Sequence, residues 1–389
     1  MTSQYIKLFQ AKGTLGFSLS GFIARMPNSM VFISLTLMLS NLGFSYSRAS
    51  YVTATYVTAS ALLSPQTARL ADRYGQSLIV AICTFISVSS LILLLICSYL
   101  KTSIFLLMAL ALFAALAPNF GAMVRTRWSR LYGGSPYIRS AFAFESIVDE
   151  IVFMIGPILA IAATTNLAPQ AGVIAAISFL IIGSISFITQ KRTEPKLNNN
   201  FSGKSVLKYP PIIILAVILF AFGVIYGVAE LSTIAFCKEL NKTAWATLPL
   251  ILYALASFIA GFAYGAKKHI KINLAKQLLI AISIAAISTL PFLFIQNMFT
   301  LCFALFCSGA TCAPTIIIAT ALVEDIIPEK KLTEAISWII TGLNLGVSAG
   351  YACVSPLLDN YGSSKGFAIT VIAGFLSLII VSAFFKKLH

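Results

Sequence analysis

The stretch Ala68-Arg69-Leu70-Ala71-Asp72-Arg73-Tyr74-Gly75-Gln76 joins two long apolar runs, at 47–70 and 76–99. Each run has roughly the 20 residues that a helix needs to cross the hydrocarbon core of a bilayer. A short charged turn between two such runs is typical of a loop at a membrane surface. The local pattern therefore indicates a chain that crosses a membrane and returns.

The composition of the whole chain agrees with this. Of its 389 residues, 59% are hydrophobic and only 10% are charged, whereas a soluble chain carries about 25% charged residues. This balance excludes a water-soluble enzyme, a disordered regulator and a fibrous protein. The net charge of +15 does not indicate a nucleic-acid partner, because the basic residues stand in short clusters between apolar runs. The expected partner is the lipid bilayer.

Twelve apolar runs, numbered here as spans 1 to 12, are long enough to cross a membrane. Because the bilayer interior offers no water to open backbone groups, each span is predicted to be a helix. The predicted fold class is an all-α integral membrane protein with twelve transmembrane helices. The spans are 14–41, 47–70, 76–99, 103–127, 137–165, 168–190, 210–237, 243–266, 273–295, 298–323, 332–357 and 362–385.

The basic residues predict the orientation. Of the 27 lysines and arginines, 21 lie in the termini and the even-to-odd loops, five lie in the other loops, and Arg25 lies inside span 1. Cytoplasmic loops carry the excess of positive charge. Both termini are therefore predicted to be cytoplasmic, in a multi-pass protein of a plasma or bacterial inner membrane.

The longest polar segment follows span 6 and predicts two halves. We expect an N-terminal six-helix bundle at 1–190, a cytoplasmic linker at 191–209 and a C-terminal six-helix bundle at 210–389. The halves also echo each other, because Pro118 in span 4 and Pro314 in span 10 each follow an alanine. Parallel six-span repeats are typical of one large class of transporters. Such a chain is expected to function as a monomer.

The stretch 68–76 closely resembles the G-x-L-x-D-R-x-G-R-K signature of the major facilitator superfamily and stands in the same loop. A weaker copy lies at 261–268, in the equivalent loop of the second half. Two departures are Ala68 in place of the first glycine and Gln76-Ser77 in place of the basic pair. The resemblance implies two six-helix bundles, related by a pseudo-two-fold axis around a central cavity, and transport by alternating access.

The resemblance also implies a conformational switch. In the superfamily the aspartate of this motif meets the N-terminus of span 11 and an arginine at the end of span 4. Asp72 is therefore expected beside residues 332–335, where Glu334 would compete for the positive end of the helix. Arg73 and Gly75 complete the motif. The candidate arginines are Arg125, Arg127 and Arg130.

Span 5 is similar, at Gly156-Pro157, to the G-x-x-x-G-P motif of the superfamily's drug/proton antiporters, with Val152 in place of the first glycine. The alternative is that Pro157 only bends the helix. Many proton-coupled members carry an arginine in span 4, four residues before a glycine, but Ala117 stands there before Gly121. The coupling residues are therefore expected elsewhere.

Ionisable residues inside spans cost several kcal/mol unless they are paired or hydrated, so each is a functional candidate. Arg25 lies in span 1, and Glu145, Asp149 and Glu150 lie in span 5. Glu145 and Asp149 share a helix face, whereas Glu150 points to another side. We predict a proton-coupling site in which Asp149 titrates and Glu150 is the structural partner of Arg25. The alternative is an ion pair that only joins two helices.

Two further places are candidates for a substrate cavity. Glu230 in span 7, flanked by Tyr226, suits a cationic or hydroxyl-bearing substrate, unless it lies at the outer surface. Asn344 in span 11 stands within Gly342-x-x-x-Gly346-x-x-x-Gly350, a stripe whose alternative role is helix packing.

No motif indicates an enzyme. The chain has no nucleotide-binding glycine loop and only two histidines, so neither a cofactor nor a metal site is expected. The sequence predicts a secondary active transporter, with proton-coupled efflux of a small organic molecule as the favoured function. The alternatives are metabolite uptake or facilitated diffusion by the same fold and, more remotely, a polytopic membrane enzyme.

Overall fold

The structure is a computed structural model that describes residues 7–44, 46–135, 137–195, 205–240, 245, 247–266 and 272–385. Within these residues the chain forms α-helices and short 3-10 turns, and no strand is assigned. The helices are α1 (Thr14–Asn41), α2 (Tyr46–Tyr74), α3 (Gln76–Tyr99), α4 (Ile104–Ala114), α5 (Phe120–Tyr132), α6 (Ile138–Asn166), α7 (Ala171–Thr189), α8 (Pro210–Glu239), α9 (Thr247–Gly265), α10 (Leu274–Ser288), α11 (Met298–Gly309), α12 (Cys312–Ile326), α13 (Leu332–Tyr361) and α14 (Ser363–Phe384).

These helices account for the twelve predicted spans. Spans 1 to 3 are α1 to α3, span 4 is α4 and α5, spans 5 to 9 are α6 to α10, span 10 is α11 and α12, and the last two spans are α13 and α14. In the described part of the chain, ten segments are both long and apolar enough to cross a membrane. The other two spans are α2, which is rich in serine and threonine, and the broken pair α4 and α5.

Two spans are broken near their middle. In span 4 the break contains Pro118, and α5 begins when the Asn119 side chain accepts a hydrogen bond from the Ala122 N–H at 3.1 Å. In span 10 the break lies at Ala310 and Thr311, just before Pro314. Pro314 sits in the first turn of α12, where a backbone N–H has no partner within the helix, so its ring starts a helix rather than bending one.

Each half has its own apolar core. The first half is packed around residues such as Met30, Leu35 and Leu91, and the second around Ile218 and Leu278. Such burial of large side chains stabilises each bundle by dispersion and by close packing.

The glycine stripe of α13 packs against α8. A Cβ built on Gly342 would collide with the carbonyl oxygen of Ala216, and one built on Gly346 would collide with that of Phe220. From the facing side, Gly223 and Gly227 approach the backbone of α13 in the same way. Small residues let two helix backbones come this close, so the stripe joins two helices of the second half.

The halves meet on the side of the molecule that holds Asp72, which we call the Asp72 side. There a third apolar cluster contains Trp128 and Phe142 of the first half together with Ile317 and Ala321 of the second. Hydrogen bonds also cross between the halves. They include Asn119 to Ser337 (2.9 Å), Thr126 to Thr333 (2.9 Å), Ser129 to Glu324 (3.2 Å), Ser140 to the Gly265 carbonyl (2.6 Å) and Thr341 to the Ala61 carbonyl (3.3 Å). This side is therefore closed.

Both described ends of the predicted linker are held in place. Glu194 accepts from the Ser77 N–H at 2.8 Å and from the Ser77 hydroxyl at 2.5 Å, and so caps the start of α3. Ser205 donates to Glu334 at 2.5 Å, and the Val206 N–H donates to the same carboxylate at 3.2 Å. Residues 196–204 of the predicted linker lie outside the described residues.

Candidate functional site

Two arginines and two carboxylates form a buried cluster between α1, α5 and α6. The Arg25 guanidinium contacts Glu145 at 2.5 Å and Asp149 at 2.8 Å, and Arg125 contacts the other oxygen of Asp149 at 2.8 Å. Arg25, Arg125 and Glu145 are each at most 2% exposed, whereas Asp149 is 32% exposed. Two positive charges balance two negative ones, which is what allows the group to remain ionised within a membrane.

Backbone and indole groups fix the geometry of this cluster. Arg25 Nε donates to the Gly21 carbonyl at 3.0 Å, and Arg125 Nη1 donates to the Gly121 carbonyl at 3.2 Å. Glu145 accepts a further hydrogen bond from Trp128 Nε1 at 2.6 Å. Helical side chains point back toward the N-terminus of their helix, so each guanidinium lies one turn before its own Cα.

Arg125 corrects two expectations. It was expected at the switch beside Asp72, but it lies in the buried cluster with Asp149 instead. Span 4 was expected to lack a coupling arginine, because the position before Gly121 is Ala117, yet it supplies Arg125 from four residues after that glycine. Its place near the end of span 4 made it look like a loop residue. The backward tilt of helical side chains is the signal that could have found it.

Glu150 also differs from expectation. It was predicted to be the structural partner of Arg25, but it accepts a hydrogen bond at 2.7 Å from Ser257, on α9 of the other half. Among the described residues it forms no ion pair, whereas Asp149 is held by two guanidinium groups. Of the three acids of span 5, the one without a cation in the described structure is therefore Glu150, which points away from the face that Glu145 and Asp149 share.

Arg127 stabilises the Asp72 side within the first half. Its guanidinium donates to Gln76 Oε1 at 2.8 Å, to the Gln190 carbonyl at 3.0 Å and to the Thr193 hydroxyl at 3.1 Å. It also lies 3.7 Å from the centre of the Phe187 ring, a cation–π distance. The expected pairing with Asp72 is therefore replaced by contacts that join α3, α5 and α7.

Asp72 lies at the start of α13, the place that the family resemblance implies. Its carboxylate accepts from the Glu334 N–H at 2.9 Å. The N-cap residue of α13, Lys331, makes no side-chain cap hydrogen bond, so a carboxylate from the other half stabilises this helix end. The guanidinium carbon of Arg73 lies 4.9 Å from the centre of the Tyr74 ring. Gly75 has a φ of 97°, which glycine adopts without strain.

Asp72 and Glu334 do not compete as caps of this helix end, although their charges still repel each other, as expected for two acids this close. The Glu334 carboxylate turns toward the linker end, and its second oxygen lies 3.9 Å from Nε of Arg69. Glu334 thus donates its backbone N–H to Asp72 while its carboxylate accepts hydrogen bonds from Ser205 and Val206. The two acids can share one helix end because only one of them caps it.

A second polar group lies in the other half. Glu230 accepts a hydrogen bond from the Tyr351 hydroxyl at 2.5 Å. Tyr226 lies one helical turn before Glu230 on α8, and its ring lies 5.1 Å from that of Tyr253. Sequence reasoning paired Glu230 with Tyr226 but missed Tyr351. Asn344 is exposed and precedes Tyr351 by seven residues, which places the two on the same face of α13 two turns apart.

Gly156 allows α1 and α6 to approach closely. A Cβ built there would collide with the Ser29 hydroxyl, which donates to the Val152 carbonyl at 2.9 Å. Helix α6 continues through Pro157 to Asn166.

A family model described as Major Facilitator Superfamily matches residues 17–292 and 243–389, and so covers most of the chain. The chain belongs to the major facilitator superfamily. Its members are transporters, so this multi-pass membrane protein is a transporter and not an enzyme. Among the described residues, no group of three or more acidic, cysteine or histidine side chains is placed to hold a metal ion.

Solved structures of superfamily transporters share the fold. A bacterial homologue of the iron transporter ferroportin, in an outward-facing state, is similar with a TM-score of 0.75 and 12% identity over 96% of this chain and 99% of that one. The human organic anion transporter MFSD10 (TETRAN) is similar with a TM-score of 0.71 and 11% identity, over 96% of this chain and 100% of that one. The structure of the proton:xylose symporter XylE has a TM-score of 0.68 and 14% identity, over 96% of this chain and 94% of that one. No curated protein matches the sequence significantly.

Proposed function

We propose that this superfamily member exports a small organic molecule and couples export to proton entry by alternating access. It works as a monomer in a plasma or bacterial inner membrane, with the Asp72 side and both termini in the cytoplasm. Export is supported by the resemblance of Gly156-Pro157 to the antiporter motif. The orientation is supported by the distribution of lysine and arginine.

Proton coupling is supported by one observation above all. Glu150 is a half-buried carboxylate within a membrane-spanning helix, and it has a serine hydroxyl but no cation beside it in the described structure. A carboxylate in such a place accepts a proton more readily than one held by two guanidinium groups. We therefore assign proton binding to Glu150 and not to Asp149. In this assignment the cluster of Arg25, Asp149 and Arg125 is a charged support that keeps the first half rigid.

Glu230 supports a substrate with a cationic or hydroxyl-bearing group. Its carboxylate is bonded by the Tyr351 hydroxyl, which a ligand donor can replace without leaving the charge unpaired. Asn344 adds an amide on the same face of α13 as Tyr351.

The test is transport by inside-out vesicles that carry an imposed pH gradient, acid inside. Addition of a transported compound should release protons and restore the fluorescence of a pH-sensitive dye. Glu150→Gln should abolish this release and leave compound exchange without a gradient intact. The matched control is Glu329→Gln, which removes an exposed carboxylate. Transport that ignores the gradient, or full gradient-driven transport by Glu150→Gln, would refute the proposal.

Uptake is the rival direction. The similar structure of XylE is that of a proton symporter. If this protein is a symporter, addition of the compound outside the same vesicles, under a gradient that is acid outside, should acidify the vesicle interior. The sign of the dye response decides between the two.

A further inference from the structure

Ser257 connects the proton-binding carboxylate of one half with a helix end of the other. Its hydroxyl donates to Glu150 at 2.7 Å and accepts from the Ala313 N–H at 3.1 Å. The side chain is fully buried. Each of the hydroxyl's partners is therefore fixed by the protein, since water has no access to the serine.

Ala313 lies in the first turn of α12, so its N–H is available as a donor to Ser257. Ala313 is the second residue of α12, the helix that begins after the break in span 10, and its N-cap Thr311 makes no side-chain cap hydrogen bond. The first N–H groups of a helix carry partial positive charge and have no partner within the helix. The Ser257 hydroxyl accepts a hydrogen bond from one of these N–H groups and donates one to Glu150.

The contact also lies where the halves separate. Glu150 stands twelve residues into α6, so it is about 18 Å from the start of the helix at 1.5 Å per residue. Ser140, near the start of the same helix, contacts Gly265 at the end of α9 on the Asp72 side. The bond from Ser257 to Glu150 is therefore deeper than the Ser140 contact between the same two helices, and both helices must part if the Asp72 side is to open.

We propose that Ser257 transmits the protonation state of Glu150 to the second half of the protein. This rests on the proposed function, in which Glu150 binds the transported proton. With Glu150 ionised, the charge-assisted bond holds α6 and α9 together and keeps the Asp72 side closed. Protonation leaves a neutral acceptor, and neutral hydrogen bonds are about half as strong. Proton binding therefore loosens the contact and favours opening on the Asp72 side.

Other titratable groups face Glu150 from the surrounding helices. They are Asp149 on α6, Tyr226 on α8, Tyr253 on α9 and Cys312 at the start of α12. Asp149 is neutralised by its two arginines, and the tyrosine hydroxyls and the thiol are uncharged near neutral pH. Among these groups, Glu150 is the carboxyl group that has no cation beside it in the described structure.

The test measures opening on the Asp72 side as a function of pH, in lipid nanodiscs. Ala321→Cys places a thiol in the buried cluster between the halves. The reference protein for this substitution has alanine in place of Cys97, Cys302, Cys307 and Cys353, which are partly or fully exposed. The labelling of that reference protein without Ala321→Cys is subtracted. The rate of reaction with a maleimide is divided by the rate for the unfolded protein at the same pH, which removes the pH dependence of the thiol.

We expect labelling to increase as the pH falls, and Glu150→Gln to label rapidly at every pH. Ser257→Ala should increase labelling about five-fold at high pH and have little effect at low pH. In the Glu150→Gln background it should change labelling by less than about two-fold, because the bond is already weak there. Ser146→Ala is the matched control, since Ser146 is buried on α6 and its one hydrogen bond within the described residues is to the Phe142 carbonyl of the same helix.

Two outcomes distinguish a failure of the proposed function from a failure of the role proposed for Ser257. If Glu150→Gln labels like the reference protein and keeps its pH response, Glu150 does not bind the proton and the proposed function fails. If Glu150→Gln abolishes the pH response but Ser257→Ala has an equal effect in both backgrounds, Ser257 only caps α12 and this inference alone is overturned.

Discussion

At the scale of single residues, two arginines set the electrostatics of the first half. Arg25 bonds two carboxylates and the Gly21 carbonyl, so three acceptors surround one guanidinium. The sequence predicted that Arg25 meets the acids of span 5, because a lone charge inside a span needs a partner. It could not show Arg125 beside them, since the depth of an arginine near a span end depends on which way its side chain leans.

Arg25→Ala should destabilise the protein strongly. The change leaves Glu145 buried without its cation and takes one of two cations from Asp149, and such losses cost about 3–5 kcal/mol. Heating in detergent, followed by size-exclusion chromatography of the remaining monomer, should show a midpoint several degrees lower. Lys365→Ala, which removes an exposed cation, should leave the midpoint unchanged. Equal midpoints for the two variants would mean that the cluster contributes nothing to stability.

At the scale of helices, apolar length predicted where most spans lie because the bilayer sets that length. The breaks were less predictable. Pro118 lies in the break of span 4, but in span 10 the break precedes Pro314 at Ala310 and Thr311. Proline is tolerated in the first turn of a helix as well as in a break, so the residue type alone leaves both places open. The Asn119 side chain caps α5 through a local contact, whereas the start of α12 is held by Ser257, a contact that depends on tertiary structure.

Gly346→Ala should weaken the packing of α13 on α8. The added methyl group meets the backbone oxygen of Phe220, which has no rotamer to change, so the helices must part. Overpacking of this kind costs about 1–3 kcal/mol. Ser348→Ala, two residues further on and exposed, is the control. Thermal midpoints measured side by side should fall only for the glycine variant, and a fall of the same size in both would contradict the packing role.

At the scale of the whole molecule, the structure is closed on one side and that closure includes Asp72. The family resemblance placed this aspartate at the start of α13, and the hydrogen bond to Glu334 lies there. The direction of the Glu334 carboxylate was not predictable, because it depends on the linker end at Ser205 and Val206.

Asp72→Asn should favour opening on the Asp72 side, because an amide stabilises a helix N-terminus less than a carboxylate does, by about 0.3–1 kcal/mol. Distances between spin labels on the two halves at this side should show a larger open population. Asp325→Asn, which neutralises an exposed carboxylate in α12, should leave the distribution as it is. An unchanged distribution for Asp72→Asn would remove Asp72 from the switch.

The orientation of the molecule predicts which loops an impermeant reagent reaches. A cysteine introduced at position 200 should react only after the cells are opened, and one at position 240 should react on intact cells. The expectation follows from the 21 basic residues on one side against five on the other. Reaction at 200 on intact cells, with none at 240, would invert the topology.

The anchoring of the linker bears on how such a chain can be divided. Glu194 is hydrogen-bonded to Ser77 in the first half, and Ser205 and Val206 are hydrogen-bonded to Glu334 in the second. Each half therefore contains one end of the linker, and the contacts that join the halves come from α2, α5, α6, α9, α12 and α13. A gene cut between codons 199 and 200 would encode two polypeptides with complete helix ends and an intact mutual surface, able to reassemble as a two-chain transporter.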